Sequence, residues 1–152
     1  MAKNSNPPDP DASGHLDQQL CFALYAASTA MTRVYRPLLE DLGLTYPQYL
    51  VLLVLWEKGP IRLGEIAQDL ELATHAVSPI IDRLDEAGLV SRVKDPNDAR
   101  AVVVELTKAG RNLESKGVAI RDHVRRKTAL KTAEITRLRS ELQKLVEILN
   151  ED

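Results

Sequence analysis

Cys21 is the single thiol in a chain of 152 residues. The groups best suited to act with it are Tyr25, Tyr35 and Tyr46. A lone cysteine near an apolar helix face is commonly a small buried hydrophobe. Yet three of the four tyrosines fall within the next two helical segments, and helical spacing from Cys21 accounts only for Tyr25. A phenol can donate one hydrogen bond to a thiolate, and several such donors favour the charged sulfur. Thiolate is the species that peroxides attack. Cys21, Tyr25, Tyr35 and Tyr46 therefore form a candidate redox-sensing set. The competing reading is that the rings fill an amphipathic core, and for Tyr49 that reading is preferred. One cysteine allows no intrachain disulfide and no zinc site of several thiolates. Neither a metal nor a cofactor is expected.

A second chemistry needs the segment from Ile61 to Leu106. Leu63, Ile66, Ala67 and Leu70 mark one buried helix face. A break follows at Glu71 to Ala73. Thr74 is suited to cap a second helix whose apolar face is Val77, Ile80, Ile81 and Leu84. Gly88 stops it. Two strand-like runs come next, Leu89 to Lys94 and Ala101 to Leu106, with a polar turn-forming loop from Asp95 to Arg100 between them. Helix, turn, helix and hairpin is the order of a winged helix-turn-helix. Its second helix fits a major groove and its hairpin tip touches flanking backbone or minor groove. That order makes Thr74, His75, Ser78 and Arg83 of the second helix, with Asp98 and Arg100 of the wing, the candidate DNA-binding residues. His75 can read a base or a phosphate, or sit at a helix end with no target.

The remaining elements must position these groups. Residues 1–14 carry Pro7, Pro8, Pro10 and Gly14 without apolar period, and a disordered tail is expected. A helix from Leu16 to about Tyr35 has the stripe Leu16, Leu20, Ala23, Leu24, Ala27, Met31 and Val34. Pro37 is read as opening a short helix, Leu38 to Leu42, ended by Gly43. Thr45 and Gln48 form a capping-box pattern ahead of a helix over Tyr46 to Lys58, apolar on most sides and so central. Gly59 and Pro60 break it. Thr107 is suited to cap a long helix bearing Leu113, Ile120 and Val124. A last helix runs from about Thr132 to Asn150, with Ile135, Leu138, Leu142, Leu145 and Leu149 on a heptad seam. Two heptads are too few for a free coiled coil, which leaves packing within the domain or a shared dimer interface. The expected fold class is mainly α with a small β-hairpin: a winged helix-turn-helix plus terminal dimerisation helices.

Composition narrows the field. Hydrophobic residues make up 44% and charged residues 28%, the balance of an ordinary globular domain. No apolar run suggests a membrane span, and no basic-then-apolar signal pattern opens the chain. A single thiol in such a chain fits a reducing cytoplasm. Aromatics at 4% disfavour single-strand binding by stacking. The formal net charge is −2, and from Thr74 to Arg111 six cations face six anions. DNA binding must therefore rest on geometry, with cations gathered on one surface.

Three pieces carry a family resemblance: Leu84 to Val90 (LDEAGLV), Asp95 to Arg100 (DPNDAR) and Leu106 to Gly110 (LTKAG). In order and spacing they resemble the MarR family of dimeric winged-helix transcription regulators. Further pieces, Leu16 to Tyr25 (LDQQLCFALY), Val34 to Leu38 (VYRPL) and Leu44 to Leu50 (LTYPQYL), are similar to its organic-hydroperoxide-sensing branch, the OhrR proteins. The resemblance implies a single MarR-like domain over 15–152, with the winged helix at about 45–107 and dimerisation helices at about 15–44 and 108–152. It implies that Cys21 is the peroxidatic residue, that Tyr35 and Tyr46 of the partner subunit hold its thiolate, and that Tyr25 lines the same pocket. It implies an ion pair in which Asp98 orients Arg100. This chain departs from branch members that carry a second, resolving cysteine. That leaves a one-cysteine cycle, by sulfenic acid and then a mixed disulfide with a small cellular thiol, or by overoxidation. The segment Ala73 to Ile81 also departs from the branch.

The implied function is a homodimeric repressor that binds a pseudopalindromic operator in double-stranded DNA, senses organic hydroperoxide through Cys21 and then releases the operator. One alternative is a MarR-type repressor gated by a noncovalent aromatic or lipophilic ligand between subunits, with Cys21 merely buried. A second is a thiol peroxidase. That activity needs efficient reduction, and the chain lacks a resolving cysteine, so no enzyme is expected.

Overall fold

The computed structural model describes residues 14–151. The expected N-terminal tail lies, up to residue 13, outside the described residues. A short 3-10 turn at Leu16–Gln18 leads into α1 (Leu20–Glu40), followed by α2 (Tyr46–Lys58), β1 (Ile61–Arg62), α3 (Leu63–Asp69), α4 (Thr74–Glu86), β2 (Val90–Asp95), β3 (Asp98–Leu106), α5 (Lys108–Asn112), α6 (Glu114–Lys127) and α7 (Thr132–Asn150). These form two compact units, one reaching to Glu114 and the other starting at Ser115.

In the first unit α2 is the central element. Thr45 caps it: its hydroxyl accepts from the Gln48 N–H, while the Gln48 side chain accepts from the Thr45 N–H. Pro47 costs nothing there, because first-turn N–H groups lack helical partners anyway. Val51, Leu52 and Leu55 are fully enclosed, and so are Ile66 of α3 and Val77, Ile81 and Leu84 of α4. Each such burial is worth about 1.5–3 kcal/mol relative to exposure. This shared core fixes the helix-turn-helix pair against α2. The three-stranded antiparallel sheet has the order β1-β3-β2. Val104 opposes both Ile61 and Arg92, and Val90 opposes Leu106.

The structure corrects several expectations. Pro37 does not open a second helix: α1 runs unbroken through it to Glu40. Proline there removes one helical hydrogen bond, but Leu39 is buried at 1% exposure and holds the last turn in place. Thr74 is not a cap. Ala73 takes that position with extended backbone and no side-chain hydrogen bond. The wing strands reach Asp95 and Asp98, so only Pro96 and Asn97 lie between them. The Asp95 carboxylate closes this tight turn by accepting the Asn97 N–H at 2.8 Å. Thr107 caps only the five-residue α5, by accepting from the Gly110 N–H, and a new helix starts at Glu114. β1 had no sequence signal.

In the second unit Gly117, Ile120 and Val124 are the buried residues of α6, spaced along one face. Arg125 donates to the Thr132 hydroxyl at 2.7 Å, joining α6 to α7. On α7, Leu138, Leu142, Val146 and Leu149 are exposed. In the first unit Leu16, Leu20, Phe22, Tyr25 and Met31 are also exposed. Among the described residues, α1 and α7 each carry exposed apolar side chains.

Candidate functional site

Cys21 sits in the first turn of α1 and is exposed. Tyr25, one turn on, is 68% exposed. At the far end of the same helix, Tyr35 meets Tyr46 of α2, with ring centroids 5.0 Å apart. Tyr49 packs behind both, 5.7 Å from Tyr35 and 6.3 Å from Tyr46. Tyr49 is 1% exposed, a core residue as expected. Burial pushes the Tyr46 phenol above its ordinary value, so it remains a neutral donor at physiological pH. The structure therefore brings Tyr35 and Tyr46 together and keeps Cys21 and Tyr25 apart from them. A straight α-helix rises about 1.5 Å per residue, so Cys21 and Tyr35 of one chain stand roughly 21 Å apart along α1.

The DNA-facing candidates lie on α4 and the wing. Thr74 and His75 are exposed in the first turn of α4, Ser78 is half-buried, and Arg83 is exposed near the end. Arg83 lines a notch with Thr45, the cap of α2, with Pro47 and Gln48 in the first turn of α2, and with Pro79 and Ile80 of its own helix. Pro79 lies inside α4. A second notch, of about 430 Å³, is lined by Arg62, Gly64 and Gln68 from the β1–α3 corner, by Thr74, and by Arg100 of the wing. The recognition helix and the wing thus share one concave face.

Two arginines missed in the sequence hold this face together. The Arg62 guanidinium donates from Nε and Nη2 to Asp95 Oδ2, each at 2.7 Å. Asp95 is the one buried charged residue among those described. Its carboxyl is held below the usual range, first by the Asn97 N–H and then by Arg62. Arg92 of β2 pairs with Asp82 of α4 and donates to the Ser78 carbonyl at 3.4 Å. These pairs tie the wing to the corner before α3 and to the recognition helix. Their partners are 33 and 10 residues apart, so no local pattern announces them. Asp98 differs from its expected role: its carboxylate accepts the backbone N–H of Arg100 at 2.9 Å instead of pairing with the guanidinium. The short turn favours this contact, because the main chain of Arg100 curls back over Asp98.

Among the described residues no helix is long and apolar enough to cross a membrane. Nor does any group of three or more His, Cys, Asp or Glu among them suit a metal ion.

A family model described as "MarR family" matches residues 44–102. The organic hydroperoxide resistance transcriptional regulator of Bacillus subtilis is 37% identical over 136 residues, covering 90% of this chain and 92% of that protein. The solved structure of reduced AbfR bound to DNA matches with a TM-score of 0.75 and 31% identity, covering 91% of this chain and 96% of that one. Overoxidised AbfR bound to DNA matches with a TM-score of 0.74 and 31% identity, covering 91% and 98%.

Proposed function

The chain belongs to the MarR family of winged-helix transcription regulators, and on that basis we propose that it is a cytoplasmic, homodimeric repressor that releases its operator when an organic hydroperoxide oxidises Cys21. The observation that carries this reading is the division of α1. The thiol is exposed at one end and the Tyr35–Tyr46 pair stands at the other, out of its own thiol's reach. A two-fold dimer that pairs the exposed apolar faces brings one chain's Cys21 to its partner's phenols. Similarity to the Bacillus regulator along nearly the whole chain supports the same reading.

The chemistry follows. Two phenol donors favour the thiolate. Its sulfur attacks the outer oxygen of the hydroperoxide, the O–O bond breaks, and the alkoxide leaves as an alcohol after taking a proton. Cys21 keeps one oxygen as sulfenic acid. A small cellular thiol then condenses with it, releasing water and leaving a mixed disulfide. Each change replaces a compact anion with a bulkier group, so the tyrosine hydrogen bonds rearrange and the subunits shift. The two recognition helices must meet half-sites about one helical turn apart. A change in their spacing therefore costs affinity, and about 1.4 kcal/mol suffices for tenfold. AbfR has been seen on DNA in overoxidised form, which favours the bulkier mixed disulfide as the releasing species here.

On the DNA side Thr74, His75 and Ser78 face base edges, Arg83 the adjoining backbone, and Arg100 the backbone or minor groove, with Asp98 fixing the main chain beneath Arg100. The test is a titration of the purified protein with cumene hydroperoxide, with and without a small thiol, following operator binding and intact mass together. The expected result is one oxygen or one thiol adduct per chain in step with release. Release from DNA by the Cys21→Ser protein on the same treatment overturns the proposal.

A further inference from the structure

The chain holds one tryptophan, four tyrosines and one phenylalanine. Four of these six rings form a single array. It starts at the Tyr35–Tyr46 pair, passes through Tyr49, and reaches Trp56, whose ring stands edge-on to Tyr49 at 6.3 Å and 67°. Tyr46, Tyr49 and Trp56 all lie on α2, so the array runs from the first turn of that helix to its last. There the Trp56 indole N–H donates to the Gly110 carbonyl at 3.0 Å. Gly110 is held on its other sides too. Its N–H donates to the Thr107 hydroxyl at 3.2 Å, and that hydroxyl donates to the Gly88 carbonyl at 2.6 Å. A Cβ on Gly110 would lie 2.1 Å from the Leu89 carbonyl oxygen. Gly88 and Leu89 lie in the short connection from the recognition helix, α4, to the first wing strand, β2.

We propose that Tyr49 and Trp56 are positioning residues that carry the state of the Tyr35–Tyr46 pair to the C-terminal end of the recognition helix. The inference rests on the reading of Cys21 as a sensor. Interiors are close-packed, so a ring displaced at one end of the array displaces its neighbour instead of compressing. Chains of packed side chains and hydrogen bonds are the physical carriers of such coupling. A packed indole N–H needs an acceptor, and here it finds one outside its own helix, on α5. That proton is committed to the carbonyl of Gly110, the residue whose N–H holds the Thr107 hydroxyl that in turn donates to the Gly88 carbonyl just beyond α4. Rearrangement of Tyr35 and Tyr46 on oxidation moves Tyr49, turns Trp56, and shifts the Gly110–Thr107–Gly88 joint. The shift tilts α4 within each subunit, in addition to any change between subunits.

The experiment compares full-length wild type, Trp56→Phe, Tyr49→Leu, Tyr49→Phe and Cys21→Ser. Each is assayed reduced and after cumene hydroperoxide with a small thiol, for operator affinity, intact mass and melting temperature. Trp56→Phe and Tyr49→Leu are expected to modify Cys21 as wild type does and to bind the operator when reduced. Their oxidation-dependent loss of affinity should be smaller by about tenfold, a usual size for coupling between sites. Tyr49→Phe, which keeps the ring, should retain the full loss. If wild type itself does not release DNA, the sensor reading fails. If wild type releases and the Trp56→Phe and Tyr49→Leu proteins release equally, the coupling proposal fails alone. Should those variants not fold, wild-type emission decides. The chain's only tryptophan is Trp56, so its spectrum must change on oxidation and stay constant in Cys21→Ser. An unchanged spectrum in wild type that has been modified and has left DNA overturns the proposal.

Discussion

Cys21 and Tyr35 share one unbroken helix and cannot touch within one chain, since about 21 Å of helix separates them. Any hydrogen bond from Tyr35 to the thiolate must therefore cross between subunits. This predicts complementation. A homodimer of the Tyr35→Phe, Tyr46→Phe protein should react with hydroperoxide about tenfold or more slower than wild type, having lost both donors. Mixing and re-annealing it with Cys21→Ser chains should restore a fast phase, because the intact thiol then faces intact phenols. Stopped-flow oxidation kinetics with no fast phase after mixing would place the donors elsewhere.

Asp95 gives a pH-dependent wing. Its carboxyl is lowered by the Asn97 N–H and then by Arg62. A lowered folded value means that the contribution to stability is fully present above the unfolded carboxylate value of about 3.9. It is lost as pH falls through the folded value. Hydrogen exchange at the Asn97 amide should therefore accelerate in acid before that of the core. Asp95→Ala, which removes the acceptor, should exchange rapidly there even at neutral pH. Equal protection in both proteins would remove Asp95 as the wing's anchor.

Arg100 bears on salt dependence. Arg100→Ala is expected to weaken operator binding and to reduce the slope of log affinity against log salt by about one phosphate contact. Asp98→Ala should weaken binding with the slope unchanged, because Asp98 holds the Arg100 main chain and not its charge. Fluorescence anisotropy at several salt concentrations separates the two. An unchanged Arg100→Ala slope would mean that the guanidinium touches no phosphate.

Gly110 tests the joint beneath the wing. An added Cβ meets the Leu89 carbonyl oxygen at 2.1 Å, and that neighbour is main chain. Gly110→Ala should cost about 1–3 kcal/mol, the usual range for overpacking a filled site. Thermal melting checks it. Wild-type stability would show that the α4–β2 corner yields freely.

What could be read from the chain beforehand follows the range of the interactions involved. Thr45, Gln48, Gly59 and Pro60 bound α2 through contacts within four residues, and its limits, Tyr46 and Lys58, were legible. The last helix, Thr132 to Asn150, was legible from its heptad spacing. Pro37 misled because its local cost is outweighed by burial of Leu39, which no local pattern displays. β1 is two residues long and exists only by pairing with Val103 and Val104. Tyr35 and Tyr46 were recognisable as a pair by resemblance. The continuation through Tyr49 to Trp56 and Gly110 was not, because a ring at a core position looks the same whether or not it leads anywhere.

Pro79 gives the reader helix an uneven stiffness. Its ring nitrogen carries no hydrogen, so the His75 carbonyl lacks the bond that would lock the first turn to the second. Beyond that point Ile81 and Leu84 are fixed in the core, and Arg92 grips Asp82. The tip bearing Thr74 and His75 is one hydrogen bond looser than the turns behind it, while Val77 at its base stays seated in the core. Such a tip can settle into grooves of slightly different width without moving the body of the protein.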